Sequence, residues 1–174
     1  MSNYAFDENE RLIIENAKIL FPNFSGRANR YNREGWRNFC VVIDDKDIVH
    51  ILRENGWNVK MLQDDNNLHG VKYYVPVAIN FESHPFAPPA AIYSVRNGEL
   101  STLTEDTIDM LDGMTMTNVD MTLRPRKYWD KSRSIERVKA YLHNMYVTFG
   151  TNRLAEKYSS VMPSADVCLK TLLS

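Results

Sequence analysis

The sequence predicts a mainly β fold: a five-stranded Greek-key barrel of the OB type, decorated with extra segments and carrying one or two short helices. Several short segments alternate apolar and polar residues, which is the period of a half-buried strand. Asn97-Gly98 lies between two such segments and indicates a two-residue hairpin turn. The 174 residues are enough for one domain with a sizeable core. A β-sandwich is the alternative that these patterns leave open.

Period-two alternation places the strands. The clearest pattern puts on one face Tyr73, Val75, Val77, Ile79 and Phe81. Pro76 lies on the other face, and because proline has no N–H to donate, it predicts an edge strand or a bulge there. The predicted strands are, in chain order, 12–21 (closed by Pro22), 37–43, 57–62, 73–81, a hairpin within 90–103, 116–123 and 136–149.

Two helices interrupt the strands. Asp44 or Asp45 can cap a helix that ends at Gly56, and Thr104 is predicted to cap a short acidic helix. The inward residues of the second helix are Ile108 and Leu111. The first helix follows the second predicted strand, whereas an OB barrel has its helix after the third. Either an early strand is split in two, or the barrel is decorated.

The remaining segments are predicted to be loops or an extension. The polar or basic stretches 24–35, 63–70, 84–89 and 124–135 are predicted to be loops. We divide the chain into a domain, 1–150, and a C-terminal extension, 151–174, in which a helix near 154–159 precedes a mobile polar tail.

Cysteine usage and hydropathy indicate a cytoplasmic protein. Cys40 and Cys168 lie near opposite ends of the chain and form no CxxC pair, so the sequence predicts neither a zinc site nor a disulfide framework. No apolar run approaches the ~20 residues that a membrane helix needs. The acidic, polar N-terminus is unlike a signal peptide.

The formal net charge of -1 hides an uneven distribution. Residues 24–40 hold four arginines and one acid, a net charge of +3. Residues 124–139 hold seven basic residues and two acids, a net charge of +5, whereas residues 101–123 hold five acids and no base. The total charge excludes a globally basic, histone-like protein but not a protein that binds a polyanion locally.

Both basic segments also contain aromatic residues, a combination typical of grooves for single-stranded nucleic acid. Cations follow the phosphates and exposed rings stack on the bases. Arginine suits this role because its planar guanidinium both pairs with phosphate and stacks. The opposing interpretation is that the charges are solvated loops and the rings pack at strand ends. The candidate nucleic-acid-binding residues are Arg27, Arg30, Tyr31, Arg33, Trp36, Arg37, Arg124, Arg126, Lys127, Tyr128, Trp129, Lys131, Lys139 and Tyr141.

Catalytic and metal-binding motifs are not predicted. Glycine-rich phosphate loops and a nucleophile elbow are missing from the sequence. The four histidines are dispersed; His143 is predicted to share a strand face with Tyr141 and Met145. The carboxylates of residues 101–123 could in principle hold Mg²⁺, but their spacing matches no metal motif, and a solvated, well-capped helix explains them better. We expect no catalytic residue, no metal and no cofactor.

Four segments resemble phage-encoded single-stranded-DNA-binding proteins with an OB fold. They are ENAKILFPNFSG (15–26), NREGWRNFCVVID (32–44), NVDMTLRPRKYW (118–129) and VKAYLHNMYVTF (138–149). With GWNVK (56–60) and YYVPVAINF (73–81), the similarity covers residues 12–149. The matching positions in the first and last basic stretches are Asn32, Arg33, Gly35, Arg37, Asn38, Phe39, Lys139, Tyr141 and Tyr146.

The resemblance implies a protein that coats single-stranded DNA (ssDNA) during phage replication or recombination in the host cytoplasm, without cofactor or catalysis. Its partners would be ssDNA and phage or host replication or recombination proteins, with no membrane; a homo-oligomer is left open. Arg37 and Lys139 would then contact phosphates, and the stacking partners would be Tyr31, Trp36, Tyr128 and Trp129.

One feature departs from many DNA-coating proteins, which end in an acidic tail. Residues 150–174 have a net charge of +1 and end in Thr-Leu-Leu-Ser, so recruitment of partners through an acidic tip is in doubt. Two other functions remain open at this point. One is a phage protein that binds and inhibits a host protein, for example a defence nuclease. The other is a metal-dependent nuclease that uses the acidic segment.

Overall fold

Ten strands form one sheet in the computed structural model, which describes residues 2–63, 70–82 and 88–149. One α-helix, α1 (Lys46–Glu54), and one 3₁₀ helix (Ile108–Gly113) accompany the sheet within these residues. The strands are β1 (Tyr4–Phe6), β2 (Leu12–Ile14), β3 (Ile19–Asn23), β4 (Arg37–Ile43), β5 (Lys60–Gln63), β6 (Val71–Ile79), β7 (Ala91–Arg96), β8 (Glu99–Leu103), β9 (Met116–Asp130) and β10 (Ile135–Phe149). The predicted mainly β class is confirmed.

The strand order contains a five-membered cycle. The sheet runs β2-β9-β10-β6-β4-β3, and β2 and β3 are consecutive in the chain. If β2 and β3 count as one strand, the cycle has five strands, with β6 and β10 parallel and the other pairs antiparallel. This is the OB-type Greek-key arrangement that the sequence predicted. The remaining strands, β1, β5, β7 and β8, are the decorations.

The first barrel strand is split, which corrects the continuous strand predicted over 12–21. Leu12–Ile14 pairs with β9, whereas Ile19 and Leu20 pair with β4. At the bend, Asn16 has a positive φ of 51° and its N–H donates to the Asp120 carboxylate at 2.8 Å. The second half also continues past Pro22 to Asn23, with an irregular register after Leu20. The bend lets one segment pair with both ends of the sheet.

Helix α1 begins as predicted and lies between the second and third barrel strands. The Asp45 carboxylate accepts hydrogen bonds from the N–H groups of Asp47 and Ile48, which caps the helix. Gly56 follows the last turn with a φ of +84°, a conformation that favours glycine. The β7–β8 hairpin and the 3₁₀ helix occupy the place between the third and fourth barrel strands where an OB fold has its helix. This explains why the helix order differed from the OB pattern.

Strand β6 is interior and its register with β4 is regular at Pro76, so both the edge strand and the bulge predicted there are wrong. One side of β6 pairs with β4 along seven residues. Its other side pairs first with β5, up to Tyr74, and then with β10 from Val77. Pro76 therefore lies in the gap where β6 changes partners.

The basic segment 124–135 is a β-ribbon and not the predicted loop. Strands β9 and β10 stay paired from the core out to Asp130 and Ile135, so only four residues form the turn. The Asp130 carboxylate accepts from Ser132 N–H at 3.0 Å and from Ser132 Oγ at 2.6 Å, which stabilises that turn. The side chains of this segment consequently alternate between two faces.

A bulge in β10 reverses the alternation at His143. The register with β9 shifts between Leu142 and Asn144. Tyr141 and His143 remain on the outer face, but Met145 is fully buried in the core. The prediction that all three share one face is therefore wrong, because the bulge inserts one extra residue.

The β7–β8 hairpin turns at Asn97-Gly98 as predicted, with positive φ angles of 51° and 77°. The acidic helix differs from its prediction: it is 3₁₀, and Thr104 lies in a turn before it, where its carbonyl accepts from the N–H groups of Thr107 and Ile108. Ile108 and Leu111 are buried as expected.

The core lies inside the cycle of barrel strands. It contains the inward residues of β4 (Phe39, Val41, Ile43), β6 (Val75, Val77, Ile79), β9 (Val119, Met121, Leu123) and β10 (Val138, Ala140, Leu142, Met145, Val147), with Val49, Leu52 and Trp57 from the region of α1. The predicted polar loop 63–70 and connector 84–89 lie mostly outside the described residues, as does the predicted extension 151–174 with its helix near 154–159.

The 3₁₀ helix anchors the start of the first basic segment. The Asp112 carboxylate accepts hydrogen bonds from the backbone N–H groups of Phe24 and Ser25, both at 2.9 Å. Phe24 is fully buried and packs against Phe39, with ring centroids 5.7 Å apart. The acidic segment therefore holds a basic loop in place.

We expect Asp112→Ala to lower the free energy of unfolding by about 1–3 kcal/mol, because two backbone donors lose a charged acceptor. Urea denaturation followed by tryptophan fluorescence measures the change. Asp106→Ala removes an exposed carboxylate from the turn before the helix and should change stability by less than about 0.5 kcal/mol. Equal midpoints for the two variants would contradict the anchoring role.

Candidate nucleic-acid interface

The outer face of the barrel carries a groove of about 920 Å³. Its floor is formed by outward-facing residues of three adjacent strands, β4, β6 and β10. These are Asn38, Cys40, Pro76, Ala78, Lys139 and Tyr141. The strand alternation that buries Phe39 and Val77 turns their neighbours outward to this floor. The floor is mostly made of small side chains, with a cation and a ring on the β10 side.

The first basic segment forms one wall of the groove. Tyr31 and Trp36 line it with 87% and 56% of their surfaces exposed, which leaves both rings free to stack. The Arg30 guanidinium carbon lies 5.8 Å from the Tyr31 ring centroid, and that of Arg33 lies 5.3 Å from the Trp36 centroid. The wall therefore presents two aromatic rings, each with an arginine beside it.

Hydrogen bonds order this wall. Asn38 Nδ2 donates to Asn32 Oδ1 at 2.7 Å, and Asn32 Nδ2 donates to the Trp36 carbonyl. Gly35 N–H donates to the Gly26 carbonyl at 2.7 Å. A Cβ on Gly26 would lie 3.1 Å from the Gly35 carbonyl carbon, and Gly26 has a φ of +69°, so the close approach requires glycine.

Arg37 lies at the base of the same wall in a different environment. Its Nη1 lies 3.1 Å from Glu105 Oε1, and its guanidinium lies over the Phe81 ring at 5.9 Å. Only 17% of its side chain is exposed. Its charge is therefore already shared with a carboxylate of the acidic segment, unlike those of Arg30 and Arg33.

The β9–β10 ribbon forms the opposite side and separates the second set of candidates into two faces. The register pairs Arg124 with Tyr141, Arg126 with Lys139, and Tyr128 with Arg137, so these six residues share the outer face. Tyr128, Lys139 and Tyr141 line the groove. Lys139 Nζ and the Arg124 guanidinium lie 5.2 and 5.9 Å from the Tyr141 centroid.

Lys127 and Trp129 belong to the other face of the ribbon, which continues into the core. Lys127 Nζ is 4.0 Å from Glu136 and contributes to a second concavity beside α1. Trp129 is 61% exposed but pairs with Glu136, not with a groove residue. The structure thus separates these two candidates from the groove, because a ribbon alternates its side chains where a loop would not.

Six of the fourteen candidates line the groove. They are Tyr31, Trp36, Arg37, Tyr128, Lys139 and Tyr141. Arg30, Arg33 and Arg124 lie next to these residues through the ring contacts already described, whereas Arg126 pairs with Lys139 but lines the second concavity beside α1. Arg27 is exposed on the first basic loop, and Lys131 lies in the ribbon turn. Tyr146, a position of the resemblance, is stacked on Tyr93 at 5.2 Å and does not line the groove.

The residues that the sequence missed are polar or small. Asn58 and Asn80 line the groove, and Arg137 donates to Asn58 Oδ1 at 3.1 Å. The alternation of β6 would have placed Pro76 and Ala78 outward, but no sequence pattern shows that β6 pairs with β4 and β10. Burial raises the pKa of the Cys40 thiol above its ordinary value, so this floor residue stays protonated at neutral pH.

The acidic segment has structural contacts in place of a metal site. Glu105 pairs with Arg37, Asp112 anchors Phe24, and Asp120 accepts from Asn16. No three acidic, histidine or cysteine side chains among residues 2–63, 70–82 and 88–149 are grouped to hold a metal ion. Nor does any helix in those ranges combine the length and apolar character needed to cross a bilayer.

Known structures share this fold. The single-stranded DNA-binding protein of bacteriophage Enc34 in complex with ssDNA superposes with a TM-score of 0.55 at 11% identity, covering 87% of this chain and 93% of that one. A second structure of the single-stranded DNA-binding protein of bacteriophage Enc34 has a TM-score of 0.54 at 11% identity, covering 96% of this chain and 94% of that one. At this identity the likeness concerns the fold, and it confirms the OB-like prediction. No curated protein sequence matches this chain.

A family model covers nearly the whole sequence. The family described as "Putative phage ssDNA-binding domain" matches residues 1–172, which include both groove walls and the floor. This match agrees with the resemblance seen in the four sequence segments. The chain therefore belongs to the phage ssDNA-binding domain family.

Proposed function

We propose that this protein coats ssDNA during phage DNA replication or recombination, in the host cytoplasm and without catalysing a reaction. The observation that supports it most directly is the meeting of the two basic, aromatic segments. Residues 24–40 and 124–139 are about a hundred positions apart, yet Tyr31, Trp36 and Tyr128 line one groove. Membership of the ssDNA-binding family supports the same ligand.

The groove offers the two interactions that a single strand requires. Lys139 lines the groove and Arg30 and Arg33 lie beside the rings of its wall, and these cations attract the phosphate backbone. Exposed rings at Tyr31 and Trp36 can stack on unpaired bases, each stack contributing about 1–3 kcal/mol. Because every base has an aromatic face, we expect little sequence preference.

The floor is compatible with a strand lying across it. Pro76 and Ala78 carry little side-chain bulk beyond the backbone, so a base or sugar can approach the sheet closely. Tyr141 adds a ring to the floor, held between Lys139 and Arg124. A duplex would keep its bases paired and out of reach of these rings, so the site favours a single strand.

The test is fluorescence anisotropy with a labelled oligothymidylate and a matched duplex at low and moderate salt. We expect tight binding that favours the single strand. Absence of binding at low salt would overturn the proposal and favour the alternative, a protein that inhibits a host protein. A nuclease-treated host lysate would then be the source of that partner.

Binding should weaken steeply with salt. If about four phosphates are neutralised, the affinity should fall about 50-fold between 50 and 200 mM salt, since the slope for single strands is about -0.7 per phosphate. Anisotropy titrations at four salt concentrations give the slope. A slope near zero would show that the basic residues do not contact the backbone.

Neighbouring aromatic residues on opposite faces of the ribbon allow a matched comparison. Tyr128→Ala should weaken ssDNA binding about 5- to 150-fold, because it removes a ring that lines the groove. Trp129→Ala removes a larger and more exposed ring from the other face and should change the affinity less than about twofold.

The comparison is made with the same oligothymidylate and with circular dichroism to confirm that both variants fold. A larger loss for Trp129→Ala than for Tyr128→Ala would place the strand on the opposite face of the ribbon. If both variants bind as tightly as the parent, the ribbon takes no part in stacking.

A further inference from the structure

The outer face of the barrel continues past the groove as a row of residues that crosses four strands and ends just before β2. Asn38 pairs with Ala78, Ala78 pairs with Tyr141, and Tyr141 pairs with Arg124. Leu12 pairs with Leu123, so Arg11, just before β2, is level with Arg124. The row therefore leads from the groove floor over Tyr141 to two arginines beyond the groove.

These arginines have little compensating negative charge. Arg11 has an ion pair with Asp7, at 3.9 Å, and Arg124 has none among the described residues. Arg124 Nη1 is buried and has no hydrogen-bond partner in that part of the chain. A buried guanidinium nitrogen without an acceptor is costly, so its environment lacks a group that a ligand could supply.

His143 is the third nitrogen-bearing side chain at this place, beside Arg11 and Arg124. The bulge keeps its side chain on the outer face beside Tyr141, and its Nδ1 is likewise buried without a hydrogen-bond partner among the described residues. The charged groups that act on it are Arg11, Arg124 and Asp7. Burial and the two arginines lower the pKa of His143, so it is neutral at pH 7.

The same repulsion acts on Arg124. Burial, then Arg11 and Arg126, lower the pKa of its guanidinium. Cations that repel one another on an exposed strand face are stabilised by a bound anion. A phosphate between Arg11 and Arg124 would supply the missing acceptor to Arg124 Nη1 and offset the repulsion.

We propose that ssDNA leaves the groove over Tyr141 and places a backbone phosphate in a second subsite formed by Arg11, Arg124 and His143. This inference rests on the proposed function. It gives the strand a path across the barrel, from the wall at Trp36 towards β2. The subsite extends from His143 on β10, past Arg124 on β9, to Arg11 before β2, which is two strand spacings, about 10 Å, from β10. Only an oligonucleotide longer than the groove reaches it.

Length-dependent binding tests the subsite. Arg11→Gln and Arg124→Gln are compared with the parent on oligothymidylates of about 4 and about 16 nucleotides, the range of site sizes for one OB fold. Each variant should bind the longer strand about tenfold more weakly, with a salt slope smaller by about 0.7. Arg11→Gln, which changes no residue of the groove, should keep its affinity for the shorter strand within about twofold.

Arg96→Gln is the matched control, because it removes an exposed arginine at the end of the β7–β8 hairpin, away from the row. It should not change the difference between the two strand lengths. Arg124→Lys retains the charge but loses the fork of donors, and should recover part of the affinity lost in Arg124→Gln.

An NMR titration measures the pKa of His143 with and without each strand. A purely structural role of Arg11 and Arg124 would leave this pKa unchanged when DNA is added. A nearby phosphate stabilises the imidazolium, so the longer strand should raise the pKa of His143, whereas the shorter strand should leave it unchanged. Parent-like affinity of Arg11→Gln and Arg124→Gln for the longer strand, with no change at His143, would overturn the subsite while leaving the proposed function intact. Failure of the parent to bind either strand would overturn both.

Discussion

The pairing of β9 with β10 is the interaction on which the rest of the structure depends. It joins Leu123 to Leu142 in the core and Tyr128 to Arg137 in the ribbon, and the register between these two pairs is unbroken. Because strand side chains alternate strictly, burying one set of residues turns the other set outward. The same register therefore builds the core and aligns the cations and rings of the outer face.

The first basic segment acquires its position in another way. Residues 24–36 form no long strand, so the wall is held by individual contacts: Asp112 to Phe24 N–H, Asn38 to Asn32, and Gly35 to Gly26. The acidic segment that could suggest a metal site supplies the first of these contacts and the partner of Arg37. The acidic segment of the chain thus supports the wall, whereas basic residues face the groove.

Local patterns predicted what local energetics determine. The Asp45 cap, the Asn97-Gly98 turn and the inward faces of β4 and β6 depend on residues within one element, and the structure confirms them. The loop predicted at 124–135 was wrong because its charged residues do not show the apolar alternation of a strand. The segment is extended because β9 pairs with β10. The edge position of Pro76 and the face of Met145 were wrong because both depend on a partner strand and a bulge.

The sequence by itself determined the mainly β class, the family to which the chain belongs and the composition of the two segments that form the groove. Only the tertiary structure decided that these segments face each other, that Tyr128 lines the groove while Trp129 does not, and that Arg11 lies beside Arg124. The reason is physical: composition is a property of a segment, whereas pairing joins residues a hundred positions apart, and a shift of one residue exchanges the two faces.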